Sequence, residues 1–370
     1  MDRTVLPGGG PSEEAGEELD GGLGEEPGEG LGEESGGGQA DHRAADGGAA
    51  GLELSTLRLE QSGRVLTAWV DAPPFNYMTS AMQHDFIRLA EAVEHDVSVG
   101  AVVVTGAPAG RFITHFDIAQ MSSQMDGTPE ISRAVARNLY RSVRAMTGWA
   151  GERVVARSSL KGLLGVARFH DMARRLMYSP AVWIAAVNGP CGGGGLELSV
   201  FFDMRVSADR DACFGLPELS LGLNTALGGQ RLVQLVGPSR ALEMMLEARF
   251  YEPREALELG LVNRVVPAED LLDTVRRMAE RYAGRPRNVV ALQKRILNDA
   301  PYLSARASLA QEAVAALTSM SSPATRAAMR QWVRTQDGTD GDSVFLTRPE
   351  PWIEGTALDM NAPARGPASP

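Results

Sequence analysis

The stretch that decides the fold is PAVWIAAVNGPCGGGGLELSVFFDMRVSADRDACFGLPELSLGL, from Pro180 to Leu223. Val182 to Gly189 is a continuous apolar run typical of a buried strand, and it is soon followed by four consecutive glycines, Gly192 to Gly195. Apolar residues then continue at helical spacing through LELSVFFD, and MRVSA and ACFG are short strand candidates. The stretch predicts strand, glycine turn, helix and strand in succession, which is the alternation of an α/β domain.

The same alternation continues on both sides of this stretch. Upstream, LELSTLRLE and VLTAWVDA are predicted strands joined at Ser62-Gly63, Thr79 to Val93 is a predicted helix capped by Thr79 or Ser80, and Val99 to Gly106 is another buried strand. After about Thr225 the pattern is helical nearly to the end. Its main helices are predicted around Leu271 to Tyr282, Asn288 to Asn298, Leu303 to Met320 and Pro323 to Thr335. We therefore predict an α/β domain with a C-terminal helical layer.

Composition separates both ends from this domain. Residues 1–50 carry fifteen glycines, thirteen acidic residues and no aromatic residue, so they cannot bury enough apolar area to offset the entropy of ordering. We expect a disordered acidic tail, either simply solvated or a tether for a partner. The remainder divides into an α/β core over 51–265 with a helical insertion at about 126–164, a helical region over 266–336, and a loose tail over 337–370 in which Phe345 and Trp352 are isolated anchors.

Charge, cysteine content and hydropathy exclude several classes of protein. The net charge of -11 lies in residues 1–50, since the remainder holds 34 acidic and 34 basic residues, and this balance argues against a nucleic-acid-binding domain. Cys191 and Cys213 cannot form a disulfide framework, and five scattered histidines have no metal-ligand spacing. No signal peptide and no apolar run of about 18 residues is visible. We expect a soluble, cytoplasmic protein without a structural metal.

The glycine run and two glutamates are the candidate chemistry. Consecutive glycines between a strand and a helix serve either tight packing or close approach of the backbone to a ligand, and no Lys-Ser or Lys-Thr follows to make a Walker loop. Glu197 lies in the first helical turn after the glycines, and Glu218 lies in FGLPELSLG. Two carboxylates on separate loops can act as general acid and base if folding brings them together; on spacing alone, in a chain this rich in acidic residues, two unrelated surface glutamates are the better interpretation.

Taken together, these blocks resemble the crotonase, or enoyl-CoA hydratase and isomerase, superfamily over roughly residues 53–300. The central stretch is similar to its signature of a proline followed shortly by Ala-Ala-Val-Asn-Gly, then a glycine triplet, Glu-Leu and Phe-Gly-x-Pro-Glu. GGQRLVQLVGPSRALEMMLEARFYEPREALELGLVNRVVP resembles the next block, and FNYMT and VVVTGAPAGRFITHFDI resemble the upstream ones. The resemblance implies a crotonase-like ββα spiral core and assembly as a homotrimer or hexamer.

The resemblance also implies an acyl-CoA thioester site in which coenzyme A is the substrate's carrier and no cofactor or metal is needed. The backbone N–H groups of Phe116 and Gly194 would hold the thioester oxygen, and Glu197 and Glu218 would hydrate trans-2-enoyl-CoA to 3-hydroxyacyl-CoA, a step of fatty acid metabolism. Asp203 matches a structural aspartate. The implied substrate-binding residues are His115, Asp117, Gly193, Gly195, Pro217 and Lys294, the last at a position that contacts the CoA nucleotide unless it is a solvated helix-face residue.

Two departures from the family pattern keep other functions open. His115 and Phe116 stand where the family has a glycine and a small residue, and the insertion at about 126–164 lengthens the chain near the implied acyl pocket. We interpret His115 as a core histidine held by a backbone carbonyl or as a polar group near the thioester. The alternatives to hydration are an isomerase, a thioester hydrolase or a decarboxylase of the same fold, and, in another class, a catalytically silent interaction subunit.

Overall fold

A computed structural model describes residues 48–125, 130–145, 161–337, 341–358 and 360. Within them, six strands form one sheet in the order β1-β2-β3-β4-β6-β8, in which β1 and β2 are antiparallel and all other neighbours are parallel. A second, two-stranded parallel sheet pairs β5 with β7. The strands are β1 (Leu57–Ser62), β2 (Val65–Val70), β3 (Ala101–Gly106), β4 (Val182–Val187), β5 (Pro190–Gly192), β6 (Met204–Ala208), β7 (Cys213–Gly215) and β8 (Arg264–Val266).

Helices cover the sheet and extend beyond it at the C-terminal end. The described helices are α1 (Ser80–His95), α2 (Ile118–Met125), α3 (Arg133–Ala145), α4 (Lys161–Tyr178), α5 (Gly194–Ser199), α6 (Gly229–Val236), α7 (Pro238–Glu247), α8 (Pro253–Glu258), α9 (Leu271–Ala283), α10 (Arg287–Asp299), α11 (Ala305–Ser321), α12 (Pro323–Gln336), α13 (Val344–Thr347) and α14 (Glu350–Ile353). Short 3-10 turns lie at Ala49–Gly51, Glu218–Leu221, Ala268–Asp270 and Ala300–Tyr302. In this part of the chain no helix is both long and apolar enough to span a bilayer.

The predicted strand and helix alternation is confirmed. The two central strands, β3 and β4, are fully buried along their length, as continuous apolar runs indicate. Thr79 caps α1 by accepting a hydrogen bond from the Met82 N–H at 3.2 Å. The prediction that the helix after the glycines runs on to Asp203 is wrong, because α5 ends at Ser199. The buried Arg205 guanidinium accounts for the early end by accommodating the carbonyls of Ser199 and Phe202, to which it donates.

The described parts of both predicted tails are more ordered than expected. Residues 1–47 of the predicted acidic tail lie outside the described residues, but Ala49 is buried and its N–H donates to Asp96 Oδ2 at 2.8 Å. The predicted loose tail instead contains α13 and α14. Phe345 stacks on Trp332 at 5.6 Å and meets Trp352 edge to face at 5.0 Å, so the isolated aromatics do anchor this end.

The predicted insertion at about 126–164 is only partly described. Residues 126–129 and 146–160 lie outside the described residues. The described part consists of α3 and the beginning of α4, and Tyr140 on α3 contacts His170 on α4. At least one helix of the insertion therefore packs on the α/β core.

A buried ion pair joins the C-terminal helices to the sheet. Lys294 on α10 is 7% exposed, and its ammonium donates to Asp203 Oδ2 at 2.9 Å and to the carbonyls of Leu176 and Ala181 at 3.0 and 3.2 Å. Asp203 Oδ2 also accepts from the Trp183 N–H at the start of β4. The three ammonium donors are thus all engaged, and α4, β4 and α10 meet at one charge pair.

Replacement of Lys294 by methionine should lower the free energy of unfolding by about 3–5 kcal/mol, because Asp203 keeps its charge while losing its partner. Urea unfolding followed by circular dichroism measures this loss. Arg295→Met, on the exposed side of the same helix, is the matched control and should change stability by less than about 1 kcal/mol. Equal effects of the two substitutions would show that the pair does not hold α10 in place.

Candidate active site

The glycine turn lies against the segment that contains His115 and Phe116. Gly193, just before α5, has a φ of +46°, a conformation that side chains with a Cβ rarely adopt. A Cβ on Gly193 would lie 2.9 Å from Glu218 Oε1, and one on Gly195 would overlap the carbonyl oxygen of Ile113. Gly195 therefore permits tight packing and Gly193 brings the backbone close to a carboxyl group, while contact of the glycine run with a ligand stays a prediction.

The two backbone donors implied by the resemblance lie next to each other. Phe116 forms a parallel bridge with Met78, but the hydrogen bonds of that bridge use the His115 carbonyl and the Asp117 N–H. Gly194 is the first residue of α5, where an N–H has no acceptor within the helix. Among the described residues neither the Phe116 N–H nor the Gly194 N–H has an acceptor. Such a pair of unengaged donors can receive an oxygen that gains negative charge.

The ring of Phe116 occupies the space between these donors and α4. A Cβ on Gly194 would lie 2.8 Å from two ring carbons of Phe116, and the ring meets the buried Phe169 edge to face at 5.6 Å. Because the donor at position 116 belongs to the backbone, the bulky side chain does not remove it. The ring does take up volume beside the predicted thioester oxygen.

Glu197 is almost fully buried, with 1% of its surface exposed. Its Oε1 accepts a hydrogen bond from the Leu227 N–H at 2.9 Å, whereas its Oε2 has no partner within the described part of the chain. Burial, with a smaller contribution from the charge of Glu218, raises the pKa of Glu197 from 4.5 to about 8. The side chain is therefore a carboxyl group that holds its proton near neutral pH.

Glu218 begins the 3-10 turn after β7 and is 9% exposed. Burial raises the pKa of Glu218 as well, while His115 opposes that rise. Its Oε2 has no hydrogen-bond partner among the residues described. Buried carboxyl oxygens are normally paired, so two unpaired ones in neighbouring side chains mark a place where an external polar group or water would bind.

The other predicted substrate-binding residues have local partners of their own. His115 stacks on Tyr77 at 4.5 Å and donates through Nδ1 to the Phe116 carbonyl, in line with the interpretation of a histidine held by a backbone carbonyl. Asp117 Oδ1 accepts from the Gln120 N–H at 3.0 Å and so caps α2. Pro217 precedes the turn that begins at Glu218, and its carbonyl accepts from Ser220. Direct contact of these residues with a substrate stays a prediction.

The prediction that Lys294 contacts the CoA nucleotide is wrong. The sequence suggests either contact with a ligand or exposure to solvent. In the structure the ammonium is buried, and its three N–H groups donate hydrogen bonds to Asp203 and two carbonyls. A phosphate would have to break a buried ion pair to reach it. The structural role expected for Asp203 fits this arrangement.

Some residues that shape the site were not recognised in the sequence. The Ala226–Leu227 peptide supplies the N–H that binds Glu197, and His170 on α4 contacts the same peptide. A backbone donor leaves no mark in a pattern of side chains. The available signal was Gly228-Gly229, where Gly228 has a φ of +85° and a Cβ would lie 3.2 Å from Glu197 Cα.

Two unengaged backbone donors beside two buried carboxyl groups are an arrangement that can support proton transfer at an activated carbonyl compound. A sequence model described as enoyl-CoA hydratase/isomerase matches residues 158–337. The short-chain-enoyl-CoA hydratase of Clostridium acetobutylicum is 30% identical over 249 residues, 67% of this chain and 82% of that protein. The crotonyl-CoA hydratase of Syntrophomonas wolfei is 29% identical over 243 residues, 65% of this chain and 80% of that protein.

The fold is also that of a solved structure. The crystal structure of an enoyl-CoA hydratase from Mycobacterium smegmatis superposes with a TM-score of 0.61 and 24% identity, covering 76% of this chain and 97% of that one. The chain therefore belongs to the enoyl-CoA hydratase/isomerase family of the crotonase superfamily. The predicted crotonase fold is confirmed.

Replacing Glu197 by glutamine should stabilise the folded protein at alkaline pH. The pKa of Glu197 is raised on folding, so its ionisation does not lower the free energy of unfolding while the group is protonated in both states. The destabilisation begins at about pH 4.5, where the unfolded chain ionises, and is complete above about pH 8. Glutamine removes a cost on the order of a few kcal/mol at about pH 9 and little at about pH 5. Urea unfolding at both pH values tests this, with the exposed Glu258→Gln as control; a gain independent of pH would contradict the raised pKa.

Proposed function

We propose that the protein hydrates trans-2-enoyl-CoA thioesters to 3-hydroxyacyl-CoA. The observation that carries the proposal is the pair of buried carboxyl groups, each with one unpaired oxygen, next to two unengaged backbone N–H groups. An isomerase of this fold needs only one carboxyl group to move a proton along the acyl chain. Retention of both Glu197 and Glu218 supports addition of water.

In the proposed reaction the thioester oxygen accepts hydrogen bonds from the N–H groups of Phe116 and Gly194. Each such donor contributes about 3–4 kcal/mol of transition-state stabilisation when it is aimed at the developing oxyanion. Polarisation of the thioester makes Cβ electrophilic and lets the enolate form as water adds. Coenzyme A carries the substrate, and the steps need proton transfer and oxyanion stabilisation alone, without a redox cofactor or metal.

The free oxygens of Glu197 and Glu218 would hold the attacking water between them. One carboxylate accepts a proton from the water as its oxygen bonds to Cβ, and the protonated partner gives a proton to Cα, so the pair as a whole keeps a single proton. Two carboxyl groups whose pKa values differ can hold that proton on one side near neutral pH. The raised pKa of Glu197 supports a state in which Glu197 holds the proton and Glu218 is the carboxylate.

The direct test is loss of the conjugated thioester absorbance with a series of trans-2-enoyl-CoA esters from short to long chain, followed by identification of the product. We expect a 3-hydroxyacyl-CoA, with the shorter esters turned over fastest because the Phe116 ring takes up space beside the donors. Glu197→Gln and Glu218→Gln should each lower kcat by about 100-fold or more while leaving acyl-CoA affinity nearly unchanged.

The controls separate the possible failures of this proposal. Glu258→Gln, an exposed glutamate on α8, should retain full activity. A product with a shifted double bond would show an isomerase, and release of free CoA would show a thioester hydrolase. Absence of both turnover and acyl-CoA binding would identify an interaction subunit and contradict the proposal altogether.

We further propose that the chain assembles as a homotrimer or a pair of trimers. The support is an apolar surface on the C-terminal helices, where Leu309, Val314 and Leu317 of α11 are each more than 60% exposed. Apolar side chains clustered on a surface mark protein interfaces. Sedimentation velocity should give a trimer or hexamer, and Leu317→Glu should shift the protein toward monomer. A monomeric wild-type protein at micromolar concentration would overturn this assembly.

A further inference from the structure

One peptide group lies between the acid/base site and a histidine outside it. The carbonyl oxygen of Ala226 accepts a hydrogen bond from His170 Nε2 at 2.9 Å, and the N–H of Leu227 donates to Glu197 Oε1 at 2.9 Å. These two atoms belong to the same planar peptide, whose C=O and N–H point in opposite directions. His170 and Glu197 are therefore bound to the two ends of a single rigid unit.

The contacts of His170 also determine its tautomer. A carbonyl oxygen can only accept, so the hydrogen lies on Nε2. In the neutral imidazole Nδ1 then accepts from the hydroxyl of Tyr140 at 3.2 Å, and the two rings meet edge to face at 5.7 Å. A chain of donors runs from Tyr140 through His170 and the peptide to the Glu197 carboxyl group. Hydrogen bonds arranged in series polarise one another, so each makes the next donor stronger.

The segment that carries this peptide begins at one glutamate of the site and ends packed against the other. It starts at the turn of Glu218–Leu221, passes through exposed residues up to Asn224, and ends at Gly228, which packs on the backbone of Glu197. Ala226 itself is exposed. The side chain of His170, projecting from α4, is the contact that holds this peptide from the side opposite Glu197.

We propose that His170 is a positioning residue, which orients the Ala226–Leu227 peptide so that its N–H binds Glu197. Tyr140, from the predicted insertion, supports the histidine in turn. The expected effect of His170 on turnover rests on the proposed proton transfer by Glu197. The hydrogen-bond chain itself does not, and it can be measured without a substrate.

The activity test compares His170→Phe with His170→Gln in the full-length protein. Phenylalanine removes the donor and should lower kcat about tenfold or more with little change in KM, whereas the amide nitrogen of glutamine can replace Nε2 and should restore most of the rate. Tyr140→Phe should have a smaller effect, and the exposed His84→Phe on α1 none. In a Glu197→Gln background, His170→Phe should cause no further loss, because its effect passes through Glu197.

The substrate-free test is the titration of Glu197, followed by carbon NMR of labelled glutamate side chains and assigned by comparison with Glu197→Gln. His170→Phe weakens the donor to Glu197 and should raise the midpoint of that titration, and His170→Gln should return it toward the wild-type value. The charge of Glu218 also raises the pKa of Glu197, so the titration of Glu218 is followed in the same spectra.

The outcomes distinguish this inference from the proposed function. If no enoyl-CoA ester is turned over but the Glu197 midpoint moves with His170, the hydratase proposal fails and the positioning role stands. An unchanged midpoint in a folded His170→Phe protein overturns the positioning role. So does an equal loss of activity with and without Glu197, which would show a merely structural histidine.

Discussion

The burial of two carboxyl groups away from bulk solvent is the constraint on which the rest of this site depends. A buried carboxylate is costly unless it is paired, and Glu197 and Glu218 each retain an unpaired oxygen. The surrounding structure tolerates this cost because the β3 and β4 strands and the ion pair of Asp203 with Lys294 hold the core around them. Stability that would be gained by pairing these oxygens is given up, and the oxygens are left able to bind an external polar group.

The two backbone N–H donors and Glu197 owe their positions to the ends of secondary-structure elements. Gly194 leaves its N–H without an acceptor because it is the first residue of α5, and Phe116 leaves its own without one because the bridge to Met78 engages its two neighbours. Glu197 follows within the first turn of the same helix. The end of one segment and the start of another thus place two unengaged donors beside the buried carboxyl groups, which is the arrangement that the proposed reaction would use.

Much of this architecture could be predicted from the sequence, because it depends on local patterns. Buried strands such as Val182–Val187 are continuous apolar runs, and the glycine turn stands out by composition alone. Lys294 was misjudged because a lysine on a helix has the same local pattern whether it faces solvent or a partner, and its partner Asp203 is 91 residues away in the chain. The donor to Glu197 was missed for another reason. It is a main-chain N–H, and any residue other than proline at position 227 would supply it.

In the proposed reaction, the main chain and the side chain of Phe116 would have separate roles. The N–H that would bind the thioester oxygen belongs to the main chain, whereas the ring that fills the adjacent space against Gly194 and Phe169 belongs to the side chain. Mutation can change the second without altering the first. Evolution can therefore explore different acyl groups at this residue while the chemical step is conserved, which is one physical route by which a single fold comes to serve many thioesters.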